Sequence, residues 1–207
     1  MSFSAAPEDF RGKYIRTNFI TRRLLDGFFN GIADLIKGLD AHQVVELGCG
    51  EGHSTARLRG LLPPGAAFEA SDVESHLVAA ALRQNPGMRI IQESIYDPVR
   101  PARSADLVLV LEVLEHLSNP QLAMRQIARL TKHWAVLSVP REPVWRVLNL
   151  ARGKYVRTWG NTPGHIQHWS ERKFVEFVSQ FGRVLEIRTP LPWTMVLLEV
   201  SHREEEL

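Results

Sequence analysis

Val44-Val45-Glu46-Leu47-Gly48-Cys49-Gly50-Glu51-Gly52 decides the fold of this chain. A short apolar strand runs into three glycines spaced G-x-G-x-G, and a helical pattern follows from His53 to Leu61. Lacking Cβ atoms, glycines let a backbone turn tightly and approach a ligand closely. A dinucleotide-binding fingerprint, G-x-G-x-x-G, would need glycine at position 53, where this chain has His53. Glu46, at the end of the strand, would repel a pyrophosphate and attract a cationic ligand. Asp72 closes the second strand of the pattern, where a carboxylate accepts bonds from both hydroxyls of a ribose.

Outward from this loop, strand and helix patterns alternate. Ala66 to Ser71 reads as a strand, Glu74 to Gln84 as a helix, and Met88 to Gln92 as a third strand after the Asn85-Pro86-Gly87 break. Ala105 to Leu111 is the most apolar run, so it belongs at the centre of a sheet. Asn119 and Pro120 look like the cap and first residue of a helix reaching Leu130, and Trp134 to Val139 is a fifth strand. Ser170 caps a helix through Phe181, and Arg183 to Thr189 and Met195 to Val200 are two closing strands that pair antiparallel. This rhythm predicts an α/β, doubly wound, seven-stranded, mostly parallel Rossmann-like sheet with helices on both faces and the last strand antiparallel. Residues 1–40, with Phe19, Leu24, Phe28, Ile32, Leu35 and Leu39 at helical spacing, form a helical arm, and 41–207 form the main domain. Residues 140–169 interrupt the rhythm as a lid insertion over the sheet's carboxyl edge.

Composition sets the outer bounds. A chain of 207 residues, 44% hydrophobic and 23% charged, builds one sizeable core. The net charge of +2 is too small to argue for nucleic acid by itself. The single cysteine, Cys49, rules out an internal disulfide and suits a reducing cytoplasm. Met1 to Phe10 has neither the basic start nor the apolar stretch of a secretory signal, and the apolar runs are strand-sized, so a cytoplasmic location is expected.

The loop Val44 to Gly52, then Ser71-Asp72, then Asp106 to Leu111 resemble successive motifs of the class I S-adenosylmethionine-dependent methyltransferases. The resemblance spans residues 40 to 140. It implies that Glu46, Gly48, Gly50 and Gly52 face the methionine part of S-adenosylmethionine and that Asp72 holds the ribose. It also implies that Ser94 and Ile95 lie near the adenine and that Leu111 borders the cofactor.

Methyl transfer to a hydroxyl needs the proton removed, by a base or by a metal that lowers the hydroxyl's pKa. Glu112, Glu115 and His116 follow the central strand directly, and E-x-x-E-H puts both carboxylates on one side of a helical turn. His165 and His168 lie in the later insertion. Glu112 to His116 resembles the ubiquinone-biosynthesis O-methyltransferases and the small-RNA terminal 2′-O-methyltransferases. His165, four residues before Trp169-Ser170, matches a metal-ligand position of the latter. The metal reading gives Glu112, Glu115, His116 and His165 to Mg²⁺ or Mn²⁺ in preference to a thiolate-loving metal. The alternative makes His116 or His165 a metal-free base, with Glu112 shaping the pocket.

From Arg141 to Arg157 the insertion carries Arg141, Arg146, Arg152, Lys154 and Arg157 against Glu142 alone, interleaved with Trp145, Tyr155 and Trp159. Three readings stand: a lid over the acceptor pocket, a membrane-surface contact through 141–159, and a nucleic-acid grip. Near-neutral charge disfavours nucleic acid. The expectation is an enzyme moving a methyl group to an oxygen, less favourably a nitrogen or carbon, of a small-molecule or lipophilic metabolite. An RNA 2′-O-methyltransferase and a non-catalytic cofactor-binding scaffold are the alternatives.

Overall fold

In the computed structural model, residues 19–151, 153, 155 and 158–202 are described. Helix α1 (Phe19–Ile36) is followed by β1 (Gln43–Leu47), α2 (His53–Arg59), β2 (Ala67–Asp72), α3 (Ser75–Gln84) and β3 (Arg89–Gln92). Then come β4 (Ala105–Leu111), a 3₁₀ turn (Leu114–His116), α4 (Pro120–Leu130), β5 (Thr131–Pro140), α5 (Val144–Ala151), α6 (Glu171–Val178), β6 (Gly182–Arg188) and β7 (Trp193–Val200).

The strands form one seven-stranded sheet in the order β3-β2-β1-β4-β5-β7-β6. The first five positions pair in parallel, and β7 runs antiparallel to both β5 and β6. All seven residues of β4 are buried, because the strand is covered on both faces. Val108 and Val110 join Ala123, Met124 and Ile127 of α4 and Phe174 and Val178 of α6 in one layer. Leu107, Leu109 and Leu111 join Phe28, Phe29, Ile32 and Leu35 of α1 in the other. Strand periodicity thus divides one apolar run between two cores. A third, smaller core joins Ala70 and Ile90 of the sheet to Val78 and Ala81 of α3.

The predicted helix along the N-terminal pattern is present over Phe19–Ile36, packed against β7, β6 and β5. The rest of the expected arm, residues 1–18, lies outside the described residues, as do Arg152, Lys154 and Arg157 of the insertion. Several boundaries differ from the sequence pattern. β5 begins at Thr131, directly after α4, since Thr131 already pairs with Ala105. α6 stops at Val178 instead of Phe181: the Ser179 hydroxyl donates to the Val175 carbonyl and Phe181 N–H bonds Val178 in a tighter turn. β7 starts two residues early, because Trp193 and Thr194 pair with Pro140 and Val139.

Strand order reverses between β1 and β4, the switch point at which open α/β sheets bind ligands in the crevice outside the strands' carboxyl ends. The glycine loop follows β1 on one side of this crevice, and Glu112 follows β4 on the other.

Candidate active site

The glycine loop is shaped by contact with its surroundings. Gly48 has φ +80°, and a Cβ there would lie 2.5 Å from Cγ2 of Val113, so the loops after β1 and β4 touch where Gly48 has no side chain. Gly52 has φ +79°, and its Cβ would lie 2.9 Å from Cα of Ala81, which lets α2 start against α3. The N–H groups of Gly48 and Cys49 both donate to the Ser71 carbonyl, at 2.8 and 2.9 Å, tying the loop to β2.

Glu46 is 2% exposed. Its Oε2 accepts from Thr55 Oγ1 at 2.7 Å and Oε1 from Ser54 Oγ at 3.5 Å. Burial pushes its carboxyl up to about 7. The bonds from Thr55 and Ser54 oppose the rise, and the Asp72 carboxylate adds to it. Asp72 is buried too. Its Oδ2 accepts from Gly50 N–H at 2.8 Å and Oδ1 from Glu74 N–H at 3.0 Å, joining the loop to the start of α3. Two buried carboxylates beside an open glycine turn suit a cationic ligand, and S-adenosylmethionine brings both an ammonium and a sulfonium. Cys49 lies between them and is inert: burial first, then Glu46 and Asp72, push its thiol up to about 12. Ser94 and Ile95 lie in the turn after β3, where Ser94 Oγ accepts from Tyr96 N–H at 3.2 Å and Ile95 packs on the core. Leu111 closes β4 within the layer that contains α1.

Across the crevice, the four residues singled out after β4 and in the insertion divide. Glu115, His116 and His165 converge, each offering a ligand atom within 4.8 Å of the others. The convergence is built by backbone pairing. Ile166 and Gln167 N–H both donate to the Glu115 carbonyl, and the Gln167 side chain donates to the Leu117 carbonyl. His116 Nδ1 lies 3.1 Å from the Gly164 carbonyl, so a proton on Nδ1 donates to that oxygen and Nε2 is left to face Glu115. The rings of His116 and His165 meet edge to face at 4.8 Å.

Glu112 is oriented elsewhere. It adopts φ +60°, a left-handed conformation that costs a non-glycine residue energy unless its surroundings enforce it. Here they do: Ser138 Oγ donates to Oε1 at 2.9 Å and Trp193 Nε1 donates to Oε2 at 2.7 Å. His168 is also apart from the cluster, 3.8 Å from Glu142. Burial lowers its pKa and Arg146 lowers it further, against the opposing pull of Glu142.

The insertion covers this region. Trp145 of α5 stacks on His165 at 5.8 Å and meets Trp193 at 6.2 Å, and Trp193 meets Phe28 of α1 at 4.8 Å. Trp145 Nε1 donates to Thr162 Oγ1 at 2.9 Å, and buried Asn149 donates to the Gly160 carbonyl at 2.9 Å. Sequence reasoning missed Thr55, Ser138 and Trp193 as partners of the two acids. Thr55 had a local signal, a hydroxyl in the first turn of α2 facing back at the strand end. Ser138 and Trp193 had none, since they reach Glu112 only through sheet pairing.

An open sheet in this strand order, with a glycine loop after β1 and acids ending β1 and β2, defines a Rossmann-like cofactor-binding enzyme fold. A family described as "Methyltransferase domain" matches residues 15–186. The chain belongs to that family and is an S-adenosylmethionine-dependent methyltransferase. No curated protein matches it. Among solved structures it is similar to a SAM-dependent methyltransferase from Aquifex aeolicus, at TM-score 0.66 and 15% identity over 89% of this chain and 94% of that one. It is also similar to magnesium protoporphyrin IX methyltransferase from Synechocystis PCC 6803 with bound SAH, at TM-score 0.65 and 17% identity over 92% of each chain. The methyltransferase domain of bacterial CtHen1-CN aligns at TM-score 0.64 and 19% identity, over 86% of this chain and all of that domain. These likenesses establish the fold.

Proposed function

We propose that this methyltransferase moves a methyl group to an oxygen of a small or lipophilic metabolite that presents two adjacent oxygens. The observation that carries the reading is the convergence of Glu115, His116 and His165. One carboxylate and two imidazoles fit Mn²⁺ better than Mg²⁺, which prefers oxygen ligands alone. Cis ligands about 2.1 Å from an octahedral ion lie roughly 3 Å apart, so binding would draw the three groups together by about 1 Å, within reach of side-chain rotation. A bound ion would lower the pKa of an acceptor hydroxyl. Glu112, held by Ser138 and Trp193, would shape the wall between acceptor and cofactor in place of ligating the ion.

On the cofactor side, Glu46, Gly48, Gly50, Gly52 and Asp72 would hold S-adenosylmethionine, with Ser94, Ile95 and Leu111 along the adenosine. Bound there, the cofactor supplies an electrophilic methyl on a sulfonium. The protein's part is to align acceptor oxygen and methyl in line and to keep water out. Trp145 and Trp193, roofing the crevice, do the second. The resemblance of Glu112 to His116 to the ubiquinone-biosynthesis O-methyltransferases supports an oxygen acceptor.

A second reading, a ribose 2′-hydroxyl of RNA, is favoured by the position of His165 before Trp169-Ser170. A terminal ribose also offers two adjacent oxygens. The test is titration calorimetry of Mn²⁺ into protein saturated with S-adenosylhomocysteine, beside Glu115→Ala. Micromolar binding that the variant loses is the expected result, and heat absent from both proteins overturns the metal reading. With binding established, methyl incorporation into catechols against RNA 3′ ends separates the two acceptors.

A further inference from the structure

The insertion has an outer face as well as the inner one that covers the crevice. Helix α5 reads Val144-Trp145-Arg146-Val147-Leu148-Asn149-Leu150-Ala151, with only Arg146 and Asn149 polar. Asn149 is buried and bonded inward to Gly160 and Thr162, and Trp145 is turned inward onto His165. The outward side is therefore apolar: Val147 is 59% exposed, and Leu150, three residues on, is exposed on the same side. A helix apolar on both sides belongs in a buried setting, yet nothing in the chain's described residues covers this one.

Trp159, in the turn after α5, is 80% exposed. It is placed by Gly160, whose absent Cβ would lie 2.4 Å from the Arg146 carbonyl, so this turn rests directly on α5. Trp159 itself has φ +52°, a left-handed conformation that the turn imposes on it. After α5 begins, the insertion's sequence carries charge of one sign. From Pro143 to Ser170 the sequence has Arg146, Arg152, Lys154 and Arg157 and no Asp or Glu. Arg146 is near Glu142, while Arg152, Lys154 and Arg157 directly follow the helix.

We propose that the insertion docks the enzyme on an anionic membrane surface through exposed Val147, Leu150 and Trp159, with the basic sequence that follows α5 supplying the charge preference. Aliphatic side chains enter the acyl boundary, tryptophan prefers the headgroup level, and each cation near an anionic surface raises affinity ~5-fold. No described helix is long and apolar enough to cross a membrane, so the contact is peripheral. A nucleic-acid grip is less favoured, since exposed Val147 and Leu150 give phosphate nothing. The docked insertion would put its inner face, with His165, over a lipophilic acceptor drawn from the bilayer. That consequence rests on the acceptor reading above, whereas the docking itself does not.

The experiment is co-sedimentation of the full chain with vesicles of phosphatidylcholine alone and with a quarter phosphatidylglycerol, for wild type, Val147→Ser with Leu150→Ser, and Trp159→Ser. The substituted positions are exposed, and thermal unfolding checks that each variant is folded. Binding should be roughly tenfold stronger to the anionic vesicles and fall roughly tenfold in each variant. Absence of vesicle binding overturns the proposal, as does binding the variants leave unchanged. Single-stranded RNA that binds more tightly than the anionic vesicles, with the apolar variants unaffected, overturns it in favour of the nucleic-acid grip. Because no methyl transfer is measured, loss of the metal reading and loss of the docking surface are told apart.

Discussion

Glu46→Gln tests whether the proposed cofactor cradle is tuned by burial. In the ligand-free protein the carboxyl is raised from 4.5 to about 7 by desolvation, with only two hydroxyl donors opposing. At 1.36 kcal/mol per unit, that rise is worth on the order of 3 kcal/mol. The sign follows from proton counting. Between the two values the native state holds a proton that the unfolded state has released, so the stabilisation is full below 4.5 and is lost as pH rises from there through about 7. Glutamine keeps the shape, accepts from Thr55 through its amide oxygen, and cannot ionise. Urea unfolding at about pH 5.5 and about pH 8.5 should therefore show the variant gaining on wild type by about 2 kcal/mol, the part of the loss that falls between those two pH values. Cofactor binding should move the opposite way. The ammonium and sulfonium restore the charged carboxylate, so wild type releases up to one proton per cofactor near neutral pH, and the variant binds weakly and without release. Calorimetry in two buffers of different ionisation enthalpy measures that proton. Parallel wild-type and variant stability curves across this range would refute the reasoning, because Glu46 would then be titrating as an ordinary exposed acid.

Gly48→Ala should abolish cofactor binding and destabilise the fold by about 2 kcal/mol or more, since the new methyl meets Val113 at 2.5 Å in a left-handed backbone; a folded variant with wild-type affinity for S-adenosylhomocysteine would contradict this. Trp193→Phe keeps the packing on Phe28 and Trp145 but removes the N–H that holds Glu112, so thermal unfolding should report a loss of about 1.5–3 kcal/mol. Asp106 accepts from His42 and Gln43 N–H and from Lys132. Burial works to raise its pKa, but those bonds outweigh it and hold the carboxyl below its usual 3.8. Asp106→Asn should therefore cost about 1–3 kcal/mol at neutral pH, by denaturant unfolding, with the deficit shrinking as the pH falls past 3.8 and wild type loses the same charge.

By itself the sequence determined what depends on near neighbours. Apolar alternation and helical spacing marked all seven strands and the main helices, because burial on one or both faces imposes its period on residues a few positions apart. The G-x-G-x-G loop between β1 and α2 was legible for the same reason, since a strand, a tight turn and a helix start are local events. Element ends were less legible. Thr131 joined β5, and α6 stopped at Val178, through bonds that spacing does not encode. Tertiary structure alone decided which acids share a site. Glu112 and Glu115 are three residues apart, yet one is held by Ser138 and Trp193 and the other meets His116 and His165. That division depends on β7 inserting between β5 and β6, which carries Trp193 to the end of β4, and on the insertion folding back so that residues 164–167 pair with the turn after β4. Both contacts join residues some fifty to eighty positions apart. Their energies depend on how whole layers pack, and no pattern of near neighbours in a chain records that.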